Sequence, residues 1–322
     1  MRFDFPLAPS ILNGLRSGAV VVPERPALFS IQGSGALDCL QGLLTVDLVG
    51  PGDGSLVYGA MLSPKGMILL DPFILRENGN FVLVLPAFAR ETALAHFARV
   101  LPPRLAKVRD LSGEWEALWL LGPEAPERLE PIVENFPGPG RVRAGADSLL
   151  LAAAGPLMPF AAVLVGPRDQ VSKLAQQSEH AGARRSDESV LAAARVLAGW
   201  PSLGREIDEK TLPQEVRYDE LGAVSYVKGC YAGQETVARV HFRGHPNRNL
   251  KGVTLEGGHP AVDRKLVQAG KEVGVLRSAL ILENRVLALA TLRSEVADEA
   301  VLVSDDREAR VVPLPFTQEV AV

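Results

Sequence analysis

Residues 228–235 read Lys228-Gly229-Cys230-Tyr231-Ala232-Gly233-Gln234-Glu235, and the reading of this octet decides how the rest of the chain is understood. It gathers an ammonium, a thiol, an aromatic ring, an amide and a carboxylate into what reads as a single loop. Gly229 and Gly233 flank Cys230, where the backbone could take positive φ or approach a ligand closely. Lys228, two residues before Cys230, is positioned to favour the thiolate, the reactive form of cysteine. Gln234 and Glu235 together offer the donors and acceptors that a flat heterocycle would meet. On these residues alone a plainer reading stands beside that one: a glycine-rich turn whose cysteine packs as a small apolar group.

Downstream, residues 236–255 carry Arg239, His241, Arg243, His245, Arg248 and Lys251 and no acid. Such a strip suits an anionic ligand tail or a nucleic acid. Phe242 is its single aromatic residue, which argues against a stable RNA complex, where stacking rings are needed. Cys230, His241 and His245 lack a fourth ligand and any Cys-x-x-Cys pair, so a zinc site is not expected. Past His245-Pro246-Asn247 the pattern becomes short strands (250–255, 273–280, 285–292, 300–304 and 310–314) without helices. That pattern predicts a small barrel or sandwich.

Upstream, the chain runs through two cycles of mixed elements. Strands over 19–22 and 27–31 are split by Pro23-Glu24-Arg25-Pro26. A helix follows from Ser34, with Leu37, Leu40, Leu43 and Leu44 at helical spacing and Cys39 packed among them. Strands over 56–62, 67–75 and 81–85 lead to a helix over 87–100, with Phe88, Leu94 and Phe97 facing a core and His96 near the surface. The second cycle has a strand over 115–121, a helix opened by Pro123, strands over 148–153 and 160–165, and helices from Arg168 and over 188–198. The order strand, helix, two strands, helix is that of a ferredoxin-like half unit. The expectation is an α+β protein: a unit over 1–110 that could be discontinuous, a second over 111–245 containing the octet, and a β-barrel over 246–322.

At 322 residues the chain exceeds one small core, and its 47% apolar composition is that of a globular protein. The 34 basic and 38 acidic side chains nearly balance, so no overall field marks a nucleic-acid coat or a membrane surface. No apolar run approaches the roughly 18 residues of a membrane span, and the acid and proline near the N-terminus do not fit a secretory leader. Cys39 and Cys230 are the only cysteines, which fits a reducing, cytoplasmic setting.

The octet with Arg239 resembles the K-G-C-[FY]-x-G-Q-E-x-x-x-R motif of the YgfZ-like folate-binding proteins, relatives of the glycine-cleavage T-protein and of iron–sulfur assembly factors. Further stretches carry the same resemblance: Leu40-Gln41-Gly42-x-x-Thr45-x-Asp47; Met61 through Gly66 to Asp71; Arg195-Val-x-x-Gly199-x-Pro201-x-x-Gly204-x-Glu206; and Phe242-Arg243-Gly244. It implies an aminomethyltransferase-like ring of three domains, two ferredoxin-like units and a C-terminal barrel, around a central cleft holding tetrahydrofolate. A pterin presents an amidine-like edge that a carboxylate reads through paired hydrogen bonds. Asp71, Glu206 and Glu235 are the candidates for that role, with Lys228, Tyr231, Gln234 and Arg239 also contacting the ligand. Arg239 or Arg243 would anchor the glutamate tail, and Cys230 would be the reactive group at the cleft mouth. The implied role is accessory: support of iron–sulfur cluster assembly or repair, including clients that modify tRNA, with folate and iron–sulfur proteins as partners. T-proteins carry an acid where this chain has Leu197 and lack the octet cysteine, so a folate-dependent aminomethyl transferase is the alternative.

Overall fold

A computed structural model of the chain describes residues 4–6, 8–133, 135–257 and 262–316. Its first antiparallel sheet runs in the order Ser55–Tyr58, Phe73–Glu77, Asn80–Leu85, Ala27–Gln32, Lys107–Asp110. In the Ala27–Gln32 strand, Ala27, Phe29 and Ile31 enter a core shared with Leu40, Leu44 and Phe97, while Leu28 faces a different core with Val82 and Val84. Both faces are therefore covered, which is why Ala27-Leu28-Phe29 is an unbroken apolar run rather than an alternating one.

The second sheet follows the order Val142–Ala144, Leu150–Ala153, Ala162–Pro167, Trp115–Leu121, Val20–Glu24, Arg184–Arg185. Val20 and Val22 pair with Leu121 and Trp119, so the strand N-terminal to Arg25-Pro26 leaves the first sheet and joins the second. Pro26 has no N–H to give a ladder and marks the crossing point. One face of this sheet packs on the first through Val22, Trp119 and Val163. The other lies under the Arg168–His180 helix through Leu118, Leu164 and Val171.

The C-terminal strands close into a barrel: Lys271–Ile281, Lys265–Gln268, Val301–Ser304, Arg307–Val312, Arg248–Glu256 and Arg285–Arg293, which returns to Lys271–Ile281. Closure removes the sheet edges. Gly274 sits where a Cβ would lie 2.4 Å from the Thr291 carbonyl oxygen, so only glycine fits that corner. The interior is filled by Val253, Leu266, Leu276, Ala288, Ala290 and Val311, among others. The barrel's outer wall, through Leu280, Leu287 and Leu289, packs against Ala193 and Val196 of the Glu188–Ala198 helix. The α+β architecture with a terminal barrel is the one expected from the sequence.

Several local expectations are corrected. The run over 67–75 is two strands, Ile68–Leu70 and Phe73–Glu77, broken at Asp71-Pro72. The segment over 87–100 opens as a 3-10 turn, Ala87–Ala89, and only Arg90–Val100 is α-helical. Phe97 is buried there, but Phe88 is 66% exposed, because it lies on the turn and not on the helix face that meets the sheet. Leu94 is exposed too, and His96 is buried where a surface position was expected. The helix opened by Pro123 covers only Ala125–Leu129. The barrel segment over 317–322 and residues 1–3 and 7 of the N-terminal reading lie outside the described residues.

Candidate functional site

The octet is not wholly a loop, because Gln234 and Glu235 open the Gln234–Arg243 helix. Gly233 precedes it with φ of 80°, and a Cβ there would lie 2.6 Å from the Ser63 carbonyl oxygen. Left-handed backbone and close approach both demand glycine at this point. The Ser63–Gly66 turn, part of the Met61–Gly66 motif, is what Gly233 packs against.

Lys228 is a clamp rather than a neighbour of the thiol. Its Nζ donates to the carbonyls of Gln41 (2.6 Å), Leu44 (2.7 Å) and Val46 (2.9 Å). These carbonyls lie at and beyond the end of the Ala36–Gln41 helix, where a cation complements unpaired backbone acceptors. Burial lowers the Lys228 ammonium to about 8, against the opposing pull of Asp47. The amide N–H of Ala232 donates to the Gly42 carbonyl at 3.1 Å. Thr45 completes the joint: its hydroxyl donates to the Ala223 carbonyl (2.6 Å) and accepts from the Ala60 N–H (2.9 Å). The Leu40–Asp47, Met61–Gly66 and 228–235 motifs, far apart in sequence, thus form one welded junction.

On the outer side of this junction Cys230 is exposed, as are Glu235 and Arg239 on the helix. Tyr231 points inward, its ring 5.3 Å from Lys228 Nζ and its hydroxyl buried without a partner; burial raises it to about 12. Gln234 Oε1 accepts from the Tyr231 N–H at 3.4 Å. His241 stacks on Tyr226, with centroids 3.6 Å apart, beside the exposed Phe242.

A cleft opens elsewhere, between the two sheets, the Glu188–Ala198 helix and the barrel. It is a cavity of about 990 Å³ with a deeper annex; Glu24, Pro86, Leu191 and Arg195 line both. Asp71, Phe73, Trp119 and Phe160 form the annex walls. Of the predicted residues, Asp71 and Glu206 line this cleft, and none of Lys228, Cys230, Tyr231, Gln234, Glu235 or Arg239 does. The two regions share a wall: Tyr58, Trp200 and Tyr218 pack in one cluster with Tyr231 and Val237.

The cleft's chemistry is that of buried charge. Asp71 sits at the break before Pro72, and burial raises its carboxyl to about 6. The Tyr58 hydroxyl donates to its Oδ2 (3.1 Å), while Oδ1 is buried with no partner. Glu24, at the end of its strand, is raised by burial and accepts from Trp119 Nε1 at 2.5 Å. Glu206 is raised likewise and accepts from the Ser278 hydroxyl and the Ser202 N–H. Arg195, in the last turn before the left-handed Gly199, faces these acids. Its Nη2 donates to the Pro201 carbonyl at 2.9 Å, whereas its Nε is buried without a partner, as is Trp200 Nε1. One acceptor and two donors are therefore left for something else to satisfy, and buried polar groups are seldom left so.

Glu24, Trp119 and Trp200 escaped the sequence reading, and Arg195 entered it only as the first residue of a motif, with no role assigned. Two of the chain's three tryptophans line this cleft, and that was the available signal, since indole N–H groups need partners when buried. Leu197 packs on the barrel side, in the cluster with Leu280 and Leu289, and does not line the cleft.

The GCVT N-terminal domain family matches residues 26–137. The chain is 24% identical to the tRNA-modifying protein YgfZ of Escherichia coli O157:H7, over 91% of each protein. The chain is thus similar to YgfZ-like proteins over most of its length and to the GCVT family in its N-terminal part. It is also 28% identical to an aminomethyltransferase of Rubrobacter xylanophilus, covering 94% of the chain and 86% of that protein. Its fold is that of the glycine cleavage system aminomethyltransferase T from Bartonella henselae, with a TM-score of 0.83 at 19% identity, over 98% of the chain and 91% of that structure. Among the described residues no helix is long and apolar enough to cross a membrane.

Proposed function

We propose that this YgfZ-like protein binds a reduced folate, tetrahydrofolate or a one-carbon form of it, in the central cleft. We further propose that in this state it supports assembly or repair of iron–sulfur enzymes, including enzymes that modify tRNA, in the cytoplasm. The observation that carries the binding half is the orphaned set of Asp71 Oδ1, Arg195 Nε and Trp200 Nε1, all in residues lining one cleft. A 2-amino-4-oxopterin presents N–H donors and a carbonyl acceptor on one edge, and so complements a carboxylate and two N–H groups. The residue types fit the group. Phe73, Trp119 and Phe160 supply apolar, aromatic walls for its ring, the usual lining of a heterocycle pocket. When bound, the folate supplies a one-carbon carrier. The chain's own work is to desolvate the ring and orient it against the Asp71 carboxylate.

The accessory half rests on Cys230, an exposed thiol on a loop fixed from behind by Lys228 and Ala232. With Cys39 partly buried against the first core, one fully exposed thiol suits contact with a client cluster as substrate, not permanent cluster binding, which takes about four ligands. The test has two arms. Tetrahydrofolate should quench the fluorescence of Trp119 and Trp200 saturably. Replacing Cys230 by Ala should leave that quenching intact while cells lose activity of iron–sulfur enzymes; unaffected cells would overturn the accessory role.

One observation favours the transferase alternative: a carboxyl near pH 6 in the cleft is suited to general acid–base work. A folate-dependent release of a one-carbon unit from an aminomethyl donor, lost in Asp71→Asn and indifferent to Cys230, would select it.

A further inference from the structure

Arg239 and Arg243 do not line the cleft, which takes from them the role of ligand-tail anchor and leaves two cations to explain. They lie four residues apart on one face of the Gln234–Arg243 helix. Both are exposed, and among the described residues neither makes an ion pair. His245, just past the helix, is exposed too. Glu235 is the one acid of this helix and stands at its opposite end, by the Cys230 loop.

His241 and Phe242 lie between the two arginines, and Tyr226, from outside the basic strip, makes a third ring. His241 stacks on Tyr226 at an interplanar angle of 17°, and Phe242 stands at 87° to His241 with centroids 4.7 Å apart. The platform is held from behind. Tyr226 donates its hydroxyl hydrogen to Asp219 and accepts from Gln214 Nε2 at 3.1 Å, while His241 Nδ1 lies 3.5 Å from the same Asp219. The neighbouring Glu220 is paired with Arg217. The rings are thus oriented before any ligand arrives, which lowers the cost of binding one. Phe242 is 67% exposed and Val227, next to Tyr226, is 97% exposed, so core packing accounts for neither.

We infer that Arg239, Arg243, Tyr226, His241 and Phe242 form a contact surface for an unpaired stretch of RNA. The guanidinium groups meet phosphates and the Phe242 ring takes a base, the pairing of cations with aromatic faces that single strands require. An acidic protein would meet the cations but has no use for rings held ready to stack. RNA is the nucleic acid whose loops offer unpaired bases as a matter of course. The helix is about 15 Å long, so RNA held at its far end lies close to the Cys230 loop. This surface shares no residue with the cleft and stands apart from the folate reading.

Fluorescence anisotropy tests it with three labelled probes: a single-stranded RNA of about 12 nucleotides, the same RNA annealed to its complement, and polyglutamate. Each is titrated with the wild-type protein, Phe242→Ala and the double variant Arg239→Gln/Arg243→Gln. Wild type should bind the single strand saturably and more tightly than the duplex or polyglutamate. Phe242→Ala should weaken single-strand binding about tenfold and leave polyglutamate unchanged. The double variant should flatten the slope of log affinity against log salt by about 1.4. All three altered side chains are exposed, so urea unfolding should match wild type and separate lost binding from lost fold. Equal affinity for single strand and duplex, or equal losses on RNA and polyglutamate, would show a surface that reads charge alone, as an acidic protein partner needs, and overturns the inference. RNA binding untouched by either variant, or no RNA binding by wild type, overturns it as well.

Discussion

The cleft and the octet junction are built on opposite principles, though they share the wall of Tyr58, Trp200 and Tyr218. In the junction nearly every polar group has a partner: one ammonium meets three carbonyls, and the Thr45 hydroxyl both donates and accepts. In the cleft, carboxyls are raised by burial and three polar atoms have no partner at all. Satisfied polar networks specify structure, whereas unsatisfied ones in a cavity await a ligand. The motif most conspicuous in sequence is thus largely scaffold around one exposed thiol. In the proposed reading, the stretches with weaker signatures hold the binding chemistry.

Four substitutions sharpen or break that contrast. The largest effect falls on ligand affinity in Asp71→Asn. Replacing an ionised acceptor by an amide removes a charge-assisted contact worth about 3 kcal/mol, a loss of about 100-fold in tetrahydrofolate affinity measured by calorimetry. The same variant should gain stability. Asp71 is raised from 3.8 to about 6 in the folded state, so the native protein holds a proton that the unfolded chain releases. Stability contributed by this group is full below pH 4 and declines as pH rises through 6. Above that the penalty is constant, with an upper limit of about 3 kcal/mol. Urea unfolding of Asp71→Asn should show that decline flattened, and an unchanged pH profile would mean Asp71 is not the buried acid described.

Lys228→Met comes next. It strips the donor from three carbonyls and should lower unfolding free energy by about 2–3 kcal/mol, with faster hydrogen exchange over 41–46 and 228–233. A stability within 0.5 kcal/mol of wild type, the range of ordinary surface changes, would show the clamp to be ornamental. Glu24→Gln keeps an acceptor for Trp119 and should weaken folate binding by only about 3- to 10-fold. Cys230→Ala should be the smallest in vitro, under about 0.5 kcal/mol in unfolding and without effect on folate affinity, while abolishing support of client enzymes in cells. A destabilised Cys230→Ala would return the octet cysteine to the plain packing role.

Much of the architecture was legible because periodicity reports it. The apolar alternation after residue 246 announced the barrel, and the mixed cycles before it announced the α+β units. The crossing of Val20–Glu24 into the second sheet was not legible, because both strands flanking Arg25-Pro26 are equally apolar and pairing partners are set by tertiary packing. Asp71 and Glu206 could be named from motifs. Glu24 could not, because a glutamate at a strand end reads as an ordinary solvated charge; Arg195 opened one of those motifs, but an arginine in a helix's last turn carried no role there. Lys228 was placed beside the thiol on sequence proximity, but a four-carbon stem carried its charge to the end of another helix.

The central claim is that the cleft, and not the octet face, binds the folate. The most direct measurement is calorimetric titration of tetrahydrofolate at pH 8 into the wild-type protein, Asp71→Asn and Glu235→Ala side by side. The account predicts saturable binding in wild type, undiminished binding in Glu235→Ala and a loss of about 100-fold in Asp71→Asn. Binding that survives in Asp71→Asn and disappears in Glu235→Ala would contradict it and move the ligand to the octet face.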